Sequence, residues 1–381
     1  MKNSKNLSLK NNSHPAPATE SSDDLERNFK ATLGSVRLWS TLATLFIFPL
    51  IWVGGLVTTH DAGMAVPDWP GTYGYNLFLY PISTWLYGPF DLLIEHGHRL
   101  LGSWVGLLAI GLNIAAWTTE SRKWYRWASL GLLLAVIAQG LLGGFRVVLD
   151  ERTIAMLHGC GGPLVFAFAS FLAIAASTDW RTAQPGSWRE TRPGVPSRRV
   201  WRASWLLLIA TVTQLVLGAQ LRHALPNTSP TSFMAMVHLH LTFAAVVTIL
   251  ILAISVLIRI DFLRSEGTRD SLEFARIRTP ANWLVGLLFV QLGLGLGTWF
   301  VNYALPWSGL SPSLAQYAIA AKGYWESMIV TAHQATGSLL ISLSVWLICR
   351  VGRRLVPLAD SQTSSTINLD NQRISEQPAA R

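Results

Sequence analysis

The chain has 381 residues, half of them hydrophobic and only 13% charged, with a mean hydropathy of +0.34. A soluble domain carries about 25% charge, so an ordinary soluble enzyme is excluded; disorder through most of the length, which needs low hydrophobicity and high charge, is excluded too. Two cysteines, Cys160 and Cys349, are too few for a disulfide framework or a cysteine-ligated cluster. The net charge of +9 is no nucleic-acid footprint, because Lys and Arg gather in patches between apolar runs, the pattern of a membrane protein.

A membrane-spanning helix needs about 20 mainly apolar residues. Eight segments qualify: 38–59, 96–117, 127–149, 154–177, 201–222, 234–258, 281–302 and 328–351. Little more than Asp150, Glu151 and Arg152 separates the third from the fourth, so these two form a tight helical hairpin. Of the 30 Lys and Arg, 25 fall in the N-terminal tail, after the second, fourth and sixth spans, and in the C-terminal tail; the rest are Arg99, Arg146, Arg152, Arg222 and Lys322. That split predicts both termini in the cytoplasm. The polar tails, 1–37 and 352–381, read as largely disordered. Glu20, Asp23, Asp24 and Glu26 argue against a mitochondrial transit peptide, which leaves the bacterial plasma (inner) membrane. The expected fold is all-α and polytopic: two pseudo-symmetric four-helix bundles, 38–177 and 201–351, joined by a cytoplasmic linker, 178–200.

Taken in chain order, the spans alternate in character. The first ends in Gly54-Gly55-Leu56-Val57-Thr58, and the outer loop 60–94 that follows holds no Lys or Arg. Its prolines and aromatics suggest an ordered cap where a large apolar substrate enters. The second span opens with Glu95-His96-Gly97-His98-Arg99. The third, fifth and seventh each carry Gln followed four residues later by Gly: Gln139 and Gly143, Gln214 and Gly218, Gln291 and Gly295. Small residues let helices approach closely in a bilayer. The other even spans open with His158, with His238 and His240, and with His333.

One buried histidine is usually a hydrogen-bonded structural residue. A histidine at similar depth in every even span is not explained that way, since ionisable groups in a membrane are costly and mark function. Neutral imidazoles on neighbouring helices can clamp a haem iron from both faces. Two pairs follow: His98 with His158, and His240 with His333. His238 and His240 lie about 200° apart on a helix, so only one faces an iron; the repeat spacing favours His240 and keeps His238 as the alternative. Glu95, one turn before His98, is either an inert surface carboxylate or a proton and charge handler beside a cofactor pocket. Arg99, Arg146 and Arg222 either snorkel to lipid phosphates or meet haem propionates.

Four features together resemble the heme A synthase family: Gly54-Gly55-Leu56-Val57-Thr58, Asp61-x-Gly63 running into Pro67-Asp68-Trp69-Pro70, Glu95-x-x-His98-Arg99, and the histidines opening the other even spans. The resemblance covers roughly 38–351. It implies an enzyme that oxidises the C8 methyl group of haem O to a formyl group, giving haem A for terminal oxidase assembly. It implies a haem b cofactor on His240 and His333, substrate haem O on His98 and His158, and Glu95 as the catalytic residue. Contact with a haem O synthase and an electron donor would follow, and a homo-oligomer is compatible with it. The chain lacks the outer-loop cysteine pair of some bacterial members. The competing expectation is a dihaem, cytochrome b-like electron-transfer protein, which would need neither Glu95 nor a capping loop.

Overall fold

A computed structural model describes residues 35–182, 186–187, 198–225, 227–263, 272–303, 323–352 and 355–356. Nearly all of the two tails, most of the expected linker and Lys322 lie outside the described residues.

Among the described residues eight helices are long and apolar enough to cross a membrane, making this a multi-pass membrane protein. They are α1 (Val36–Thr59), α2 (Phe90–Thr119), α3 (Lys123–Val148), α4 (Arg152–Ala176), α5 (Arg198–Arg222), α6 (Pro230–Leu263), α7 (Leu272–Tyr303) and α8 (Tyr324–Gly352). Most extend beyond the expected spans, because composition marks the apolar stretch whereas hydrogen bonding carries a helix on into polar sequence. The largest difference at a helix start is in α7, which begins at Leu272 rather than 281. For function the start of α2 matters more: it begins at Phe90, after Pro89. Glu95 and His98 therefore lie one to two turns inside the helix. The α3–α4 connection is as short as expected, with Asp150 in the left-handed region at φ 48°, a conformation Asp tolerates better than most residues.

In each half the four helices form a ring, every helix packing on the next and the first on the fourth, so that α1 closes on α4 and α5 on α8. The halves meet where α8 packs on α1 and α4. Each ring has its own apolar core, one around Leu112, Tyr125, Leu132 and Leu172, the other around Leu207, Ile251, Leu284 and Leu347. Both cores lie toward the chain-terminal end of the bundle. The opposite ends of the helices are given over to glycine and histidine.

The connection from α1 to α2 is ordered, with a 3-10 turn at Ala62–Met64, a pairing of Thr72 with Tyr75, and a short helix at Ile82–Leu86. Val66, Tyr80 and Leu92 form its buried core, with Trp85 packed against them. At the other end of the molecule Glu120 pins the α2–α3 corner. It accepts from Arg122 at 2.9 and 2.8 Å and from Arg181 at 2.7 Å. The Arg122 hydrogen bonds, against the opposing effect of burial, hold its carboxyl down at about 2.

Candidate functional site

The histidine end of the first ring brings His98 of α2 and His158 of α4 face to edge, with ring centroids 6.2 Å apart and planes at 90°. Glycine makes room for each imidazole. A Cβ at Gly54 of α1 would lie 2.7 Å from His98 Cε1, and one at Gly143 of α3 would lie 3.1 Å from His158 Cε1. His158 Nδ1 meets the Gln139 carbonyl at 3.1 Å. His98 Nδ1 is buried without a well-formed hydrogen bond.

The second ring repeats the arrangement. His240 of α6 and His333 of α8 have centroids 6.4 Å apart. Their seats are Gly218 of α5 and Gly295 of α7, where a Cβ would lie 3.1 and 3.0 Å from the respective Cε1 atoms. Glutamine one turn before each seat reaches the same imidazole. Gln214 Nε2 is 3.1 Å from His240 Nε2, and Gln291 Nε2 is 3.2 Å from His333 Nδ1 and donates to the His333 carbonyl at 3.1 Å. Thr336 in turn donates to Gln291 Oε1. His240 Nδ1 is buried and unpartnered. His238 is exposed on another face of α6, so His240 is the α6 histidine that faces His333.

Two imidazoles bound to one metal at about 2 Å each have ring centroids roughly 6–6.5 Å apart, and both pairs match that spacing. Among the described residues no three His, Cys, Asp or Glu converge on a point that would hold a bare ion. Paired imidazoles, glycine-lined room and orphaned buried ring nitrogens suit an iron that brings its own equatorial ligands. The residues fit a haem in either half.

The halves differ in what surrounds the pair. Glu95, 1% exposed, lies only in the first. Its two oxygens meet Arg99 Nε at 3.1 Å and Arg146 Nη2 at 3.2 Å. Arg99 also donates to the carbonyls of Val66, Asp68 and Gly71 at 2.7, 2.6 and 2.8 Å. Arg146 passes so close to Gly63 that a side chain there would collide with it. Both arginines thereby tie the loop between α1 and α2 to the carboxylate. Asp68 braces the loop by accepting from the Tyr73 and Gly74 N–H groups at 2.7 and 2.9 Å. Burial acts to raise its carboxyl, but those N–H groups and Arg99 outweigh burial and hold it below its usual range.

All three arginines for which lipid phosphates and haem propionates are the alternative partners also have partners within the protein. Arg222, the third, donates to Gln334 of α8 and to Gly55 and Thr59 of α1. In a low dielectric a guanidinium takes the acceptors within its reach, and here those are carbonyls, an amide, a hydroxyl and one carboxylate.

Two further histidines beside the site had no role assigned from the sequence. His96 is buried, meets Thr72 Oγ1 at 3.0 Å and stacks near Tyr80 and Trp85. It is a loop anchor, and no local pattern marks it. His223, at the end of α5, approaches Gly159 beside His158. Burial, reinforced by Arg222, Arg146 and Arg152, pushes it down to about 4 and keeps it neutral. Its position after Arg222 at a span end was the available signal.

A family model described as cytochrome oxidase assembly protein matches residues 37–226. Three similar relatives are heme A synthases. That of Hyphomonas neptunium is 26% identical over 211 residues, covering 49% of this chain and 58% of the relative. That of Symbiobacterium thermophilum is 26% identical over 185 residues, 47% and 56%. That of Exiguobacterium sibiricum is 28% identical over 190 residues, 49% and 59%. The matched part of the chain thus spans less than two thirds of those relatives. The family match takes in the whole first ring with Glu95, His98 and His158, and stops before His240 and His333.

Proposed function

Because the chain belongs to the heme A synthase family, we propose that it oxidises the C8 methyl group of haem O to a formyl group, yielding haem A. The substrate is bound in the first ring by His98 and His158. The cofactor, haem b, is held in the second ring by His240 and His333. The observation that carries this division is the placement of Glu95, clamped by Arg99 and Arg146 three residues from His98; among the described residues no such carboxylate–arginine clamp forms beside His240 or His333.

Bound iron porphyrin supplies the oxidative chemistry, while the protein supplies binding, orientation and electrostatics. Glu95 presents fixed negative charge where positive charge develops at the reacting methyl carbon, and a carboxylate is also able to take the proton that carbon releases. Arg99 and Arg146 fix the aim of both oxygens. The loop fastened by Arg99 and His96 covers Glu95, which is 1% exposed. The histidine end faces the outside and both termini face the cytoplasm of a bacterial plasma membrane, following the Lys and Arg distribution. Haem O arrives from a haem O synthase, and an electron donor serves the haem b site.

A dihaem electron carrier is the second reading, favoured by the near-equal centroid spacings of 6.2 and 6.4 Å. Haem extraction from protein produced beside a haem O source separates the two. Haem b together with haem O, its oxidised intermediate or haem A is the expected result, with Glu95→Gln retaining haem but losing formyl product by at least about 100-fold, the usual weight of a proton-transfer or charge-stabilising group. Two haem b per chain, or undiminished haem A in that variant, overturns the assignment.

A further inference from the structure

Arg222, the last residue of α5, touches the neighbours of both histidine pairs. Its Nη1 donates to Gln334 Oε1 at 2.9 Å, and Gln334 directly follows His333. Its Nη2 donates to the Gly55 carbonyl at 2.9 Å and to Thr59 Oγ1 at 2.6 Å. Gly55 follows Gly54, the seat of His98. One turn back on the same face of α5 is Gly218, the seat of His240. The crossing depends on Gly55: a Cβ there would lie 2.9 Å from Thr331 Cγ2 and 3.3 Å from Gln334 Oε1. With that space open, the Thr59 and Thr331 hydroxyls meet at 3.3 Å.

The acceptors of Arg222 are all neutral. Among the described residues no carboxylate reaches it, whereas Arg99 and Arg146 share Glu95. Withdrawing a lone charge from water is costly, and three neutral acceptors lessen that cost without cancelling the charge. A full positive charge therefore stands where α1, α5 and α8 meet, between the two sites. Positive charge favours the oxidation state of a nearby iron that carries less charge of its own, the ferrous one.

Resting on the haem reading of the His240–His333 pair, we infer that Arg222 is a positioning residue that locks α1 against α8, fixing the two histidine pairs relative to each other, and that its unneutralised charge raises the reduction potential of a haem held by His240 and His333.

The test is an anaerobic redox titration of the purified, haem-loaded full-length protein without substrate, followed by absorption. At an effective dielectric of about 20, a unit charge shifts a one-electron equilibrium on the order of tenfold over separations of roughly 10–15 Å. Arg222→Gln is therefore expected to keep haem content and the bis-imidazole spectrum while the ferrous-to-ferric ratio at fixed potential falls about tenfold, a midpoint lower by about 59 mV. Arg222→Lys keeps the charge and stays within about threefold of the parent, which a purely structural role does not predict. An unchanged midpoint in a fully loaded Arg222→Gln protein overturns the inference and leaves the haem reading standing. Haem content insensitive to His333→Ala overturns the reading beneath it. Should Arg222→Gln fail to accumulate, Arg222→Lys carries the test: raising pH neutralises the lysine and should drop its midpoint below that of the parent, and parallel pH curves refute the proposal.

Discussion

Glycine seats beneath the histidines allow the two sites to be perturbed one at a time. Gly54→Ala places a methyl 2.7 Å from His98 Cε1. An ordinary carbon–carbon contact is about 3.5 Å, so the imidazole must retreat by about 0.8 Å or α1 must move. Overpacking of this kind costs about 1–3 kcal/mol, which weakens haem binding in the first ring by roughly 5- to 150-fold. Gly295→Ala, at 3.0 Å from His333 Cε1, asks for a smaller retreat and acts on the second ring alone. Gly140 and Gly293 are the controls, since a Cβ at either meets nothing within 4 Å; alanine there removes the glycine penalty of about 1 kcal/mol in a helix. Haem titration followed by the bis-imidazole spectrum, with extraction to identify the haem, reads each site. If Gly54→Ala binds haem O as tightly as Gly140→Ala does, the imidazoles are not seated as described and the two-site argument fails.

Arg99→Lys keeps the charge but cannot span Glu95 and three loop carbonyls. Losing two charged hydrogen bonds costs about 3 kcal/mol, so amide exchange across 66–74 should quicken on the order of 100-fold; unchanged exchange would show that the loop is held otherwise. Glu120, held at about 2 chiefly by its Arg122 hydrogen bond, contributes stability that is fully present above the ordinary carboxyl range and is lost as pH falls from about 4.5 through about 2. That contribution is on the order of 2–3 kcal/mol. Thermal melts should show the acid loss in the parent and a flatter profile, from a lower start, in Glu120→Gln; matching profiles would remove Glu120 from the account. His333→Ala should strip haem from the second ring and leave first-ring binding in place, as measured by haem content per chain; full content in that variant would exclude His333 as a ligand.

The sequence by itself determined what depends on local composition and period. Eight apolar runs set the eight helices, because a bilayer demands a minimum length of apolar chain wherever it is crossed. The Gln–Gly spacing and the histidines of alternate spans were legible because four residues bring a helix back to one face. Their partnership was not legible, for it joins one helix to the next: Gly54 seats His98, Gly143 His158, Gly218 His240 and Gly295 His333. Tertiary structure alone decided the rest. Arg146 reaches Glu95 across 51 residues, Arg99 reaches Asp68 across 31, and Arg222 reaches Gly55 across 167. An arginine near a span end has the same local sequence signature whether it meets lipid phosphate, a propionate or a carbonyl. Only the packing of α1, α2, α3, α5 and α8 sets which acceptor lies within a guanidinium's reach, and that choice turned two of the three arginines into clamps on a carboxylate and the third into a bridge between the halves.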